Sequence, residues 1–337
     1  MSTKIYLSLL FAFTMFNGLS QESIRIISYN VENLFDCYND PLTDDDSFTP
    51  SGDHNWTEGK YWVKINNLSR AITAAGQWKT PAVIGLCEVE NSKVVHDLLK
   101  RTQLRTTPYE FIHQDSPDLR GVDVALIYDP RQFNLVAEDF IPVEIEDGKP
   151  TRDILHAQGT LSNGDTIHFF VNHWPSRYGG ELESEWKRLA AAATLRDKID
   201  SLFDINPRTN IVIMGDFNDY PDNSSIVDGL CAISPQKNGI FDQLYNLSYP
   251  IHEKGDFGSH KFAGEWGMLD QIIVSGRLLN SESTTMVKGN GLQICKEDFL
   301  LKQSATGSMP RRSFLGTFFA YGFSDHLPIY IDIVIKK

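Results

Sequence analysis

The sequence predicts a layered α/β sandwich, two β-sheets packed face to face with helices on the outside. Three observations predict it. Short apolar runs rich in β-branched residues recur along the chain, and helical patterns are interleaved with them. The two halves share this texture, and no Pro/Gly/Ser linker or repeat of fixed period divides them, so residues 21–337 read as one domain.

The elements follow in chain order. Residues 1–20 carry an early Lys4, an apolar run Ile5 to Phe16, and small Gly18 and Ser20, the layout of a secretory signal cleaved before Gln21. The run is shorter than the roughly 20 residues a membrane-spanning helix needs, so the expectation is a secreted or periplasmic protein with no transmembrane segment. Arg25–Tyr29 reads as a buried strand and Asp36–Asn55 as a long acidic loop. Trp62, Ile65, Leu68 and Ile72 recur at helical spacing, which predicts a helix over Tyr61–Ala75. Ala82–Val89 is a second strand, and Asn91 or Ser92 caps a helix over Lys93–Arg101. Strands then follow at Tyr109–His113, Asp123–Tyr128, Phe133–Val136, Ile154–Leu161 and Thr166–Asn172. Glu181–Phe203 is the longest helix, its Ala190–Ala193 run giving high propensity. Asn210–Met214, Leu269–Val274 and Leu327–Ile335 complete the strands.

Composition narrows the function. With 41% hydrophobic and 22% charged residues in 337, disordered and fibrous classes are excluded. Lys and Arg number 31 against 44 Asp and Glu, and a net charge of -13 repels polyanions at long range. That argues against a protein that coats nucleic acid without specificity. It leaves room for an enzyme in which a bound cation inverts the local field. Cys37, Cys87, Cys231 and Cys295 lack zinc-site spacing; Cys87 reads as a core residue, and one disulfide among the others stays open.

Polar residues crowd the ends of the apolar strands: Asn30 and Glu32, Glu88 and Glu90, Asn172 and His173, Asp216, Asn218 and Asp219, then Asp270, and finally Asp325 and His326. Carboxylates and imidazoles at strand ends converge around one mouth. An oxygen-rich set with one or two imidazoles suits Mg²⁺ or Mn²⁺ rather than zinc, with Glu88 the first candidate ligand. Asp216 and Asn218 lie two apart, so on extended backbone they point the same way, one to activate water and one to orient it. Asp270 is placed to fix the tautomer of His326.

These segments, SYNVENLF, GLCEVEN, VNHWPSR, MGDFND, MLDQIIVS and SDHLPI, resemble the ordered motifs of the endonuclease/exonuclease/phosphatase superfamily. The resemblance runs from Ile24 to the C-terminus. It implies a four-layered α/β sandwich and metal-dependent phosphoester hydrolysis. By the same resemblance Glu88 is the metal glutamate, with Glu32 and Asp325 as further metal residues, and Asn30 organises metal and phosphate. Asp216 and Asn218 handle the nucleophilic water, Asp270 pairs with His326, and His173 matches the histidine of deoxyribonuclease-like members. Asp123 is the candidate to orient His173. Asn172, Arg120 and Arg152 join Asn30 as candidate substrate contacts, with a structural ion pair the equal alternative for the two arginines.

The reading is a secreted nuclease acting on DNA or RNA, with no obligate protein partner. A phosphoesterase for a small or lipid phosphoester is the alternative; a non-catalytic binding module is disfavoured because Glu88, Asp216, Asn218, Asp325 and His326 all stand. The Phe-rich Arg312–Gly322 is the one segment that would serve a lipid substrate, and Trp174 and Tyr178 would stack on a base or pack the loop. Arg311 and Arg312 form a small basic patch. His54, His96, His113, His156, His168, His252 and His260 lack a motif and read as surface or core residues.

Overall fold

A computed structural model describes residues 22–289 and 291–336; residues 1–20, the expected signal, lie outside the described residues. In chain order, β1 is Glu22–Leu34, α1 Glu58–Gly76, β2 Val83–Val89, α2 Ser92–Lys100, β3 Glu110–His113 and β4 Asp123–Tyr128. Next come β5 Asn134–Ile141, β6 Ile154–Thr160, β7 Thr166–His173, α3 Glu181–Ile205, β8 Asn210–Asp216, β9 Ala232–Ile233, β10 Leu244–Asn246 and α4 Tyr249–Lys254. The last part holds β11 His260–Phe262, β12 Glu265–Gly267, β13 Asp270–Ser275, β14 Thr285–Val287, β15 Gln293–Ile294, β16 Leu301–Ser304, β17 Gly307–Pro310, β18 Phe314–Leu315, β19 Phe318–Phe319 and β20 Ile329–Ile335.

Two large sheets result. One runs β14-β20-β1-β2-β4-β3, with β15 also on β20; the other runs β5-β6-β7-β8-β13-β10-β9. Period-two alternation sorts the side chains into layers. On β1, Ile24 and Ile26 pack between the sheets with Val212 and Met214 of β8. Ile27, Tyr29 and Val31 face the other way, onto Ile65, Leu68 and Ile72 of α1 and Val94 and Leu98 of α2. On β8, Ile211 and Ile213 turn outward to Ala191, Leu195 and Ile199 of α3. Helix, sheet, sheet, helix is the four-layered sandwich the sequence predicts. Each of these large side chains contributes about 1.5–3 kcal/mol by leaving water. A Cβ on Gly85 would sit 3.1 Å from Met214 Sδ, so glycine there lets the sheets close tightly.

The predicted helices stand within a few residues, and Asn91 caps α2 by accepting from the Val94 N–H at 3.1 Å. The strands β9 to β12 and β14 to β19, together with α4, escaped the sequence reading because two to six residues are too few to display a period. All four cysteines are free, so no disulfide forms among them. No helix among the described residues is long and apolar enough to cross a membrane.

Candidate active site

Strand register builds the mouth. β7 runs parallel to β8 with His173 level with Asp216, and β13 runs antiparallel with Asp270 level with the same aspartate. Three reactive side chains therefore stand in a row at one end of the second sheet. Gly215 holds φ +140°, and a Cβ there would fall 1.9 Å from the Asn172 carbonyl oxygen, so only glycine lets β7 and β8 meet just before Asp216.

The first sheet supplies the facing side. Asn30 follows Ile24 and Ile26 on the inter-sheet face of β1, and its Nδ2 donates to Asp216 Oδ2 at 2.9 Å and to Glu88 Oε1 at 3.2 Å. Simple alternation would send Glu88 to the helix side. A break in the β2–β4 register between Cys87 and Val89, with Glu88 at φ +66°, re-aims it into the mouth. The Asn33 N–H then donates to Glu88 Oε2 at 2.7 Å, and Glu88 Oε1 stands 3.9 Å from His173 Nε2.

The histidines are poised in opposite senses. His326 Nδ1 contacts Asp270 Oδ2 at 2.6 Å, while its Nε2 lies 3.8 Å from Asp216 Oδ2 and 4.0 Å from Asp325 Oδ1. Burial works against its charge, but Asp270, Asp216 and Asp325 outweigh burial and hold its pKa well above the ordinary value. Burial, reinforced by Arg152, Arg120 and His326, drives His173 well below it. Burial also raises Asp216, with Asp270 pushing the same way against His326.

The donor set fits a divalent cation. Asp216 and Asp270 bring one carboxylate oxygen each to within 4.8 Å of the other, and Asp325 and the neutral His260 do likewise, while the charged His326 beside them is a donor and not a ligand. Glu88 adds a carboxylate at the rim, and oxygen donors with imidazole are the chemistry a hard cation selects. Glu88, with Asp325 alongside, would hold it, and bound there it would supply Lewis acidity to a phosphoryl oxygen.

The sequence profile of the Endonuclease/Exonuclease/phosphatase family matches residues 25–336. The chain belongs to this family. No curated protein matches it in sequence. Solved structures share its fold: the human Nocturnin catalytic domain with bound sulfate is 16% identical over 93% of this chain and 95% of that one, TM-score 0.55. TDP2 of D. rerio in complex with a single-strand DNA product is 14% identical over 92% and 98%, TM-score 0.54. A mannosyl-6-phosphatase of Bacteroides thetaiotaomicron is 16% identical over 93% and 100%, TM-score 0.55. Endonuclease/exonuclease/phosphatase proteins are hydrolytic, metal-dependent phosphoesterases.

Within this family fold, Asn30, Glu88, His173, Asp216, Asp270, Asp325 and His326 meet as the sequence predicts. Asn218 arrives differently: its backbone is left-handed at φ +50°, not extended, so its N–H holds Asp216 Oδ1 at 2.9 Å while its Nδ2 donates to the Trp174 carbonyl at 2.9 Å. Glu32 turns away from the expected metal. At φ +53° it sends its carboxylate to the backbone N–H groups of Ser313, at 2.5 Å, and Phe314, at 3.2 Å, anchoring the β18–β19 hairpin.

Arg152 is a structural residue rather than a substrate contact. It is buried, pairs with Asp118 at 2.8 Å, and donates to the carbonyls of His173 and Trp174 at 2.9 and 3.2 Å. Asn172 is fully buried, and its Oδ1 accepts from Trp174 Nε1 at 3.1 Å, which removes it from the substrate surface. Trp174 is itself core, edge-on to Phe217. Arg120 is exposed and reaches Asn33 Oδ1 at 2.9 Å, beside the loop that holds Glu88. Asp123 does not orient His173: it accepts from the Ser116 hydroxyl, and His173 Nδ1 has no hydrogen-bond partner.

Two site residues escaped the sequence reading. His260 pairs through its backbone with His326, and their rings lie 4.7 Å apart. Lys64, wholly buried on α1, donates to Ser313 Oγ at 2.7 Å under the hairpin that Glu32 anchors. Neither has a motif; His260 sits on a three-residue strand, and Lys64 interrupts an otherwise ordinary apolar helix face.

Proposed function

We propose that this chain is a phosphodiesterase that uses Mg²⁺ or Mn²⁺ and cleaves a DNA or RNA strand outside the cytoplasm. The charge at the mouth carries the reading. Arg152, Arg177 and Arg312 border the site, and each is paired with an acid, Asp118, Asp219 and Asp325 respectively. Arg120 alone among these four reaches a neutral partner, Asn33. One uncompensated cation matches the single charge of a diester better than the double charge of a monoester. The fold-neighbour TDP2, captured with a single-strand DNA product, supports a nucleic-acid strand as that diester.

The residues divide the work. His326, charged and steered by Asp270, donates its Nε2 proton toward a non-bridging phosphoryl oxygen where charge builds up in the transition state. Asp216, raised by burial and held by the Asn30 amide and the Asn218 N–H, accepts a proton from the attacking water. His173, kept neutral, supplies a ring nitrogen beside Glu88 without adding charge.

A second reading has one observation in its favour. Leu315, Phe318 and Tyr321 are exposed on the β18–β19 hairpin, whose root Arg312 is paired with Asp325 of the site, and such a tip would suit a lipid phosphodiester. The test is turnover of supercoiled plasmid, RNA, sphingomyelin vesicles and bis-p-nitrophenyl phosphate in Mg²⁺ or Mn²⁺, with and without chelator. Metal-dependent cleavage of the polymers is expected; turnover of the vesicles alone would move the substrate to lipid. For export, N-terminal sequencing of the secreted protein should begin at Gln21, and an intact Met1 would overturn it.

A further inference from the structure

A second group of ligand-type side chains lies apart from the mouth. β3 ends at His113 and β4 begins at Asp123, two antiparallel neighbours, and the loop 114–122 leaves and returns between them. One ligand atom each from His113, Asp115 and Asp123 falls within 4.8 Å of the others. The His113 side chain has no exposure; its Nδ1 lies 3.7 Å from Asp115 Oδ1 and 3.4 Å from the Ser92 hydroxyl, while its Nε2 is buried without a hydrogen-bond partner. Asp123 is 2% exposed, and the Ser116 hydroxyl is its side-chain donor. Among the described residues no Lys or Arg forms an ion pair with Asp115 or Asp123. Arg120 and Arg152, the cations of this region, point to Asn33 and Asp118 instead.

A buried carboxylate and a buried imidazole with an unmet nitrogen are costly unless something completes them. We infer that His113, Asp115 and Asp123 bind a second divalent cation at the neck of the 114–122 loop. One imidazole and two carboxylates suit a first-row ion such as Mn²⁺. Burial lowers His113 and so favours the neutral ring, the form that ligates. Asp115 is 79% exposed and gives the ion its way in. The loop so clamped carries Asp118, the partner of Arg152, and Arg120 at the mouth. The ion thus fixes the position of Arg120 from a distance.

Mn²⁺ binding to the full chain tests this by counting ions with electron paramagnetic resonance and by following thermal unfolding. Asp115→Asn, at an exposed position, should keep the far-ultraviolet dichroism and bind one Mn²⁺ fewer than the parent, in the natural chain and equally in a Glu88→Gln background. In that background Mn²⁺ should raise the melting temperature by several degrees, and Asp115→Asn should erase the rise. His113→Gln should act alike. Unchanged Mn²⁺ stoichiometry in folded Asp115→Asn would overturn the inference. Because the readout is binding with Glu88 already removed, it succeeds or fails independently of the proposed catalysis.

Discussion

His326 and His173 stand at one mouth, both buried, yet they are opposite in chemistry. The difference lies in what faces each ring: His326 has Asp270 on Nδ1 and two more carboxylates near Nε2, whereas His173 has an unpartnered Nδ1 and two arginines nearby. Burial alone would leave both neutral. A ring of acids makes one a cation, and burial, reinforced by neighbouring guanidinium groups, keeps the other neutral. The same residue type therefore stands as a cation just ahead of β20 and as an uncharged neighbour of Glu88 at the end of β7.

The sharpest way to break this comparison is to remove the charged member. His326→Ala should keep the fold and lower kcat by about 10³-fold, whereas Arg152→Met should act on stability instead. It leaves Asp118 buried and unpaired, at a cost of about 3–5 kcal/mol read by denaturant unfolding. Asp270→Asn tests what makes His326 a cation. With the carboxylate gone from Nδ1, kcat should fall by about 10²-fold with KM little changed.

A second histidine pair sharpens the contrast away from the site. His156 Nε2 meets His168 Nδ1 at 2.9 Å, and burial lowers them to about 3 and about 4. Unfolding lets both take up protons below pH 6.5 that the folded chain refuses until about 4. Their contribution to stability is whole above pH 6.5 and is lost as pH falls through that window. The slope is about 1.4 kcal/mol per pH unit for each histidine. His156→Phe should roughly halve the slope in unfolding measured from pH 7 to 4.5; an unchanged slope would remove the pair from the account. The smallest effect is expected at the rim, where Arg120→Ala should raise KM about tenfold and leave kcat close to the parent.

Much of this was legible in the chain. Ile24, Ile26 and Ile27 on β1 and the NIVIM run on β8 fix which faces are buried, because a two-residue period leaves one way to seat them. Asp216 and Asp270 could be read because they end long, regular strands, and His326 because it lies just ahead of another, β20. What escaped depends on local breaks in that regularity. The left-handed backbone at Glu32, Glu88 and Asn218 re-aims three acidic or amide side chains, rescuing one for the mouth and sending Glu32 beneath a hairpin. Arg152 stands beside a site strand in sequence, but only the structure shows its donors already used. His260 comes to His326 through a short hairpin with no period to announce it.

The proposed activity is hydrolysis of a phosphodiester with a divalent cation, with Asp216, Asp270 and His326 converging on the reacting group. Single-turnover hydrolysis of bis-p-nitrophenyl phosphate tests it directly, comparing the parent with His326→Ala in Mn²⁺ and in chelator. The parent should release p-nitrophenol in a reaction that chelator abolishes and that folded His326→Ala loses by about 10³-fold. Release that persists in chelator, or that folded His326→Ala matches, would contradict it.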